Sequence, residues 1–218
     1  MTRDSAPDLL VLHAVRLKGF ADTRALADRF GLDPRTTEES LRDHEAHGRV
    51  THTGFAGTYG WSLTEAGRAE NERRLAAELA HTGGAEALRR VHRDFLPLNG
   101  LLRRACTDWQ LRPTPDDPLA ANDHTDPEWD AGVLHELAIV DRALTAVVDR
   151  LGVILARFHG YDTRFSAALT RARAGEVAWV DRTDVDSCHR VWFELHEDLL
   201  ATLGIDRGKE ADAVARLR

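Results

Sequence analysis

The chain is poor in cysteine. Its 218 residues contain two, Cys106 and Cys188, far apart in sequence. That excludes a disulfide framework and a zinc knuckle, and it leaves both side chains as expected small buried hydrophobes. Long apolar runs are also missing. None approaches the roughly 18 residues a bilayer requires, so no membrane span is expected. The opening Met1-Thr2-Arg3-Asp4-Ser5-Ala6-Pro7 lacks the apolar stretch of a secretory signal, and the expected location is the cytoplasm. Gly-x-Ser-x-Gly, a phosphate loop and a dinucleotide fingerprint are absent, so no catalytic residue and no cofactor are expected. Ser187, Cys188 and His189 adjoin, but neighbouring helical residues point apart and form no nucleophile–base pair. Without His-x-x-x-His or Cys-x-x-Cys spacing, no metal site is expected either.

A basic excess is the last absence. The net charge is −7, and residues 1–82 hold 11 Lys and Arg against 13 Asp and Glu. Affinity for nucleic acid comes largely from cations that neutralise phosphates. Any such affinity here needs a local patch, a dimer or a few well-placed arginines.

What is present is organised in three blocks. Residues 8–63 read as short helices followed by a hairpin. Residues 64–112 read as helices, closed by the Pro- and Asp-rich stretch from Arg112 to Pro118. Residues 127–204 read as three helices. The first helix spans about Pro7 to Phe20, with Leu9, Leu10, Leu12, Val15 and Leu17 as its apolar face and Gly19 at its end. Asp22 or Thr23 caps a second helix that buries Leu26, Ala27 and Phe30. Gly31 supplies a left-handed turn. Asp33 then caps a third helix with Pro34 at its first position, ending near Gly48. Two β-prone runs, Val50–Thr53 and Tyr59–Leu63, flank Gly54-Phe55-Ala56-Gly57 and read as a hairpin. Thr64 caps the next helix.

Helix, helix, turn, helix, hairpin, helix is the order of a winged helix-turn-helix. The segment Leu10 to Arg74 resembles the MarR-like and PadR-like winged-helix regulators. The residues that carry the resemblance are Ala25-Leu26-Ala27-Asp28-Arg29-Phe30-Gly31-Leu32-Asp33, Ser40-Leu41-Arg42, Gly48 and Trp61-Ser62-Leu63-Thr64-Glu65-Ala66-Gly67-Arg68. The most specific is the last, Leu-Thr-x-x-Gly-Arg after a wing strand. The resemblance implies double-stranded DNA as partner, with helix 33–47 in the major groove, where base edges are distinguishable. Arg35, Thr36, Glu38, Glu39 and Arg42 would face outward, and His52 and Thr53 would approach the backbone from the wing. The DNA-binding set expected from this is Arg35, Thr36, Glu39, Arg42, His52 and Thr53.

The sequence departs from the pattern at two places. The family usually has Leu at the position of His44 and an apolar residue at that of Arg49. In addition, Asp33, Glu38, Glu39, Asp43 and Glu45 outnumber Arg35 and Arg42 on the third helix. A helix of that charge is repelled by phosphate, which suits a winged helix kept for protein contacts.

The C-terminal half carries the expected ligand site. Helix 133–158 aligns Val133, Leu137, Val140, Leu144, Val147, Leu151, Ile154 and Phe158. Helix 161–174 adds Phe165, Ala168, Leu169 and Ala172. Helix 184–203 has one stripe of Cys188, Trp192, Leu195 and Leu199 and another of His189, Phe193, His196 and Leu200, the mark of a central helix. Imidazoles among aromatics suit a small molecule with apolar and polar parts. The residues expected to line its site are Trp109, His135, His189, Trp192, Phe193 and His196. The plainer alternative has both histidines satisfied by neighbouring carboxylates. The segments His13–Phe20, Cys106–Gln110 and Asp186–Leu200 also resemble a group of actinobacterial proteins described as transcriptional regulators.

The expected fold is therefore mainly α. A winged helix-turn-helix with a small hairpin wing fills residues 1–82, and a helical bundle for ligand binding and dimerisation fills residues 83–218. The expected function is that of a homodimeric, effector-responsive transcription regulator without a membrane partner. The alternatives are a sequestering or resistance protein whose winged helix no longer reads DNA, and an enzyme on a helical scaffold.

Overall fold

In a computed structural model, which describes residues 2–55, 57–206 and 208, the chain is mainly helical with one small two-stranded sheet. It divides into two compact units. Among the described residues, the first holds those up to Glu86, Leu155–Arg157 and those from His196 on. The second holds Ala87–Ile154 and Phe158–Leu195. Sequence patterning puts a boundary after Thr82, at the end of a helix. It gives no hint that later segments return to the first unit.

In the first unit, α1 (Pro7–Lys18) is apolar on nearly every face. Leu9, Val11, Leu12, Ala14, Val15 and Leu17 are all buried, and so is His13. The other elements wrap around it. Gly19 ends the helix at φ +75°, as expected, and Lys18 is its last helical residue. Helix α2 (Thr23–Phe30) is capped by Asp22, whose Oδ1 accepts the Ala25 N–H at 2.8 Å, and it closes on left-handed Gly31. Helix α3 (Pro34–Ala46) is capped by Asp33, which accepts the Thr36 N–H at 2.9 Å. Strands β1 (Val50–Phe55) and β2 (Thr58–Leu63) are antiparallel, with His52 opposite Trp61 and Thr53 opposite Gly60. Both strands run further toward the tip than expected. A bridge between Ala21 and Trp61 ties the α1–α2 connection to β2. Leu12, Val15, Leu26, Leu41, Val50 and Trp61 form the core among these elements.

Helix α4 (Glu65–Thr82) starts where expected, with Thr64 Oγ1 accepting the Gly67 N–H at 3.0 Å. The Thr64 hydroxyl also donates to the Gly48 carbonyl at 2.7 Å, and its N–H donates to the Arg49 carbonyl at 3.1 Å. The start of α4 is thereby fastened to the chain leaving α3.

The second unit is built on α5 (Ala85–Gln110, from Ala87 on), α6 (Pro127–Gly152), α7 (Tyr161–Arg173), α8 (Ala178–Asp181) and the first half of α9 (Cys188–Leu203). Asp126 caps α6, whose first residue Pro127 lies six residues before Val133, where the apolar stripe begins. The helix also stops at Gly152, so Ile154 and Phe158 do not continue its stripe. Just beyond, Leu155 pairs with Arg3, and the Ala156 N–H donates to the Arg3 carbonyl at 3.0 Å. Helix α9 starts at Cys188, four residues later than expected. Ser187 accepts the Arg190 N–H and donates to the Arg182 carbonyl, which makes it the cap. Among the described residues no helix is long and apolar enough to cross a membrane.

Candidate functional site

The expected DNA-binding residues form one exposed face of the first unit. Arg35, Thr36, Glu39 and Arg42 lie on the open side of α3, and His52 and Thr53 are exposed on β1. The arginines are engaged. Arg35 Nε is 3.3 Å from Glu39 Oε1. Arg42 donates from Nε to Glu38 at 3.0 Å and from Nη1 to Glu45 at 3.0 Å, and its guanidinium lies 4.8 Å over the Trp61 ring. Glu38 also accepts from the Thr23 hydroxyl, and Thr23 accepts from Trp61 Nε1 at 3.0 Å. Trp61, Thr23, Glu38 and Arg42 thus close a ring of contacts that joins α2, α3 and β2. The His52 ring packs 4.4 Å from the Trp61 ring and 6.2 Å from that of Tyr59. The Thr36 hydroxyl donates back to the Asp33 carbonyl at 3.1 Å.

An arginine pairs with guanine through two parallel N–H groups. A guanidinium carries five N–H groups, and Glu38 and Glu45 engage Arg42 through Nε and Nη1. As the chain stands, this face presents polar side chains on α3 and a hairpin on which the His52 ring is tilted against those of Trp61 and Tyr59.

The residues expected to bind a ligand are placed differently from one another. Trp192 is buried in the second unit, stacked on Phe95 at 4.6 Å and edge-on to Phe165 at 6.1 Å. Its Nε1 donates to Asn99 Oδ1 at 3.0 Å. Trp109 is buried too, donating to the Val177 carbonyl at 3.3 Å with its ring 4.5 Å from His124. His189 is half-buried, and burial lowers its imidazole from the ordinary value. Phe193 is 43% exposed, and His135 is exposed on α6. His196 is buried and belongs to the first unit. Phe95, Phe165 and Asn99, which periodicity did not single out as a group, are the actual neighbours of Trp192. Burial pushes the Cys106 thiol up to about 12 and raises that of Cys188 as well, which disfavours a reactive thiolate. Among the described residues no group of three His, Cys, Asp or Glu side chains could hold a metal ion.

Two charged networks escaped the sequence reading. In the first unit the nearly inaccessible Arg157 donates to Asp198 at 3.3 Å, to Thr202 at 2.7 Å, to Ser5 at 3.2 Å and to Glu78. His13 Nε2 lies 3.0 Å from the same Asp198, and its Nδ1 lies 3.4 Å from Asn71 Oδ1. In the second unit Arg164 donates to Asp186 at 2.7 Å and lies 2.8 Å from the buried Glu194. One signal was available. Arg190, Glu194, Asp198 and Thr202 recur every four residues along α9, so the carboxylates of Glu194 and Asp198 share one stripe.

The chain matches no family model, no curated protein and no solved structure.

Proposed function

We propose that this protein is a DNA-binding transcription regulator of MarR-like type, homodimeric and located in the cytoplasm. Its first unit acts as a winged helix-turn-helix, and its helical second unit takes up a small-molecule effector. One observation carries the reading. The helix α3, capped at Asp33, is exposed along one side, with a two-stranded wing behind it that the Ala21–Trp61 bridge ties to the α1–α2 connection. A rigid helix presented beside a hairpin fits the major groove while the wing reaches the flanking backbone. The effector reading rests on the Trp192, Phe95 and Phe165 cluster with Asn99 as its polar partner. An effector that prefers one of two dimer conformations would change the spacing of the two α3 helices.

A gel shift with the DNA flanking the gene tests this. A discrete salt-sensitive complex is expected, and Arg35→Ala should weaken it by about 1–3 kcal/mol. Undiminished binding by Arg35→Ala combined with Arg42→Ala would remove α3 as the reading helix.

A second reading has its own support. The α3 arginines are paired to glutamates of the same helix, and acidic side chains prevail around them. On that basis the winged helix serves protein contacts, and the second unit sequesters a small molecule. Absence of any DNA complex, together with effector binding that changes tryptophan fluorescence, would favour it.

A further inference from the structure

The two departures from the winged-helix pattern, His44 and Arg49, are neighbours in the folded first unit. The His44 imidazole is buried against the first turn of α1. Its Nε2 lies 3.1 Å from Asp8 Oδ1 and 3.4 Å from the Asp8 carbonyl oxygen. On its other edge Nδ1 lies 3.5 Å from Nη1 of Arg49. A guanidinium has only donors to offer. Nδ1 therefore accepts from Arg49 and carries no proton, while Nε2–H donates to Asp8. Neutral His44 is satisfied on both edges.

Charged groups face this imidazole from each neighbouring element. From α1 comes Asp8, which also accepts from the Ser40 hydroxyl at 2.7 Å and from Arg74. From α4 come Arg74 and, behind it, Glu70. From the α3–β1 connection comes Arg49, whose Nη2 is 3.7 Å from Glu70 Oε1. On α3 itself Asp43 and His47 are exposed, and Glu45 is paired to Arg42. The Arg49 backbone is the joint between α3 and the wing. Its N–H donates to the His44 carbonyl at 2.8 Å, and its carbonyl accepts from the Thr64 N–H and hydroxyl, each at 3.1 Å.

We propose that His44 is a proton-operated latch on α3: a proton taken from water at Nδ1 sets an N–H against the Arg49 guanidinium, expels that side chain toward Glu70 and loosens the joint between α3 and β1.

Burial, and then Arg74 and Arg49, hold the imidazole below its ordinary 6.5 against the opposing pull of Asp8. The unfolded chain thus binds the proton first. Stability from this group is complete above pH 6.5 and is lost as the pH falls from there toward the folded value. The latch needs no DNA, although on the DNA-binding reading α3 is the element it releases.

Proton NMR titration of the full chain tests the latch. The imidazoles of His44 and His189 should titrate below the ordinary histidine range, and one of these two signals should vanish in His44→Leu and move upward in Arg49→Met, which removes the opposing donor. Between pH 6.5 and 5.5 the folding equilibrium constant of the parent protein should fall relative to His44→Leu, with a ceiling of about tenfold per pH unit for one proton. Should His44→Leu not fold, the upward shift in Arg49→Met identifies the resonance, since His189 in the second unit has no part in this contact. Titration of His44 at 6.5 or above in the parent, or the same titration in Arg49→Met, would overturn the proposal.

Discussion

Replacing Gly67 with alanine should destabilise the first unit by about 3 kcal/mol or more. A Cβ at this position would lie 1.8 Å from the Arg49 carbonyl oxygen and 2.8 Å from its carbon, and backbone cannot step aside as a side-chain tip can. That carbonyl is already held by the Thr64 N–H and hydroxyl. The new methyl must therefore push α4 off the chain between α3 and β1. The Leu-Thr-x-x-Gly stretch thus has a physical basis here: threonine caps the helix, and a residue without a side chain lets its first turn lie against the preceding segment. Gly100→Ala, in α5, is the control. Nothing lies within 4 Å of its added carbon, and a helical Gly→Ala change there should stabilise by about 0.5–1 kcal/mol. Urea unfolding followed by circular dichroism measures both. A Gly67→Ala protein as stable as its parent would show that α4 does not pack on Arg49 in this way.

Asp198→Ala should cost about 3–5 kcal/mol, because it leaves the buried Arg157 and His13 without their shared carboxylate. Arg157→Met should be at least as costly, since it strands both Asp198 and Glu78. The effect also has a pH signature. Burial alone would raise the Asp198 carboxyl above its ordinary 3.8, but His13 and Arg157 hold it well below. The folded state thus resists a proton that the unfolded chain accepts. The stabilisation is present above pH 3.8 and lost as the pH falls further. Asp198→Asn should remove that portion of acid sensitivity. Equal acid profiles for Asp198→Asn and its parent would mean that the carboxylate is not ionised inside the fold. Glu70, held at about 2 chiefly by Arg73 and then Arg74, contributes acid sensitivity to both proteins and cancels in the comparison.

The elements of the first unit were legible because their signals are local. Asp22, Asp33 and Thr64 cap helices through bonds to the backbone three residues on. Gly19 and Gly31 end helices through backbone angles that only a residue without a Cβ adopts easily. The hairpin followed from two β-prone runs and the glycines between them. Periodicity also marked one apolar stripe of α9, on which Cys188, Trp192, Leu195 and Leu199 are buried. Helix ends in the second unit were less legible. A stripe records which residues face inward, and it does not record that Leu155 leaves the helical path to pair with Arg3, or that Ser187 caps α9.

What the sequence determined by itself was therefore the helical class, the hairpin, the capped start of α3 and the buried stripe of α9. Tertiary structure alone decided which charges meet. Ser5, Glu78, Arg157 and Asp198 are spread over almost the whole chain, and nothing in their spacing predicts that one guanidinium reaches all three of the others. It likewise decided that Trp192 stacks on Phe95 while His135 and Phe193 are exposed, and that the His44 imidazole meets Asp8 of α1. The physical reason is range. Capping, turn geometry and amphipathic period act over a few residues of backbone, whereas an ion pair or a ring stack depends on where distant segments lie in space, and packing settles that only once the whole core has closed.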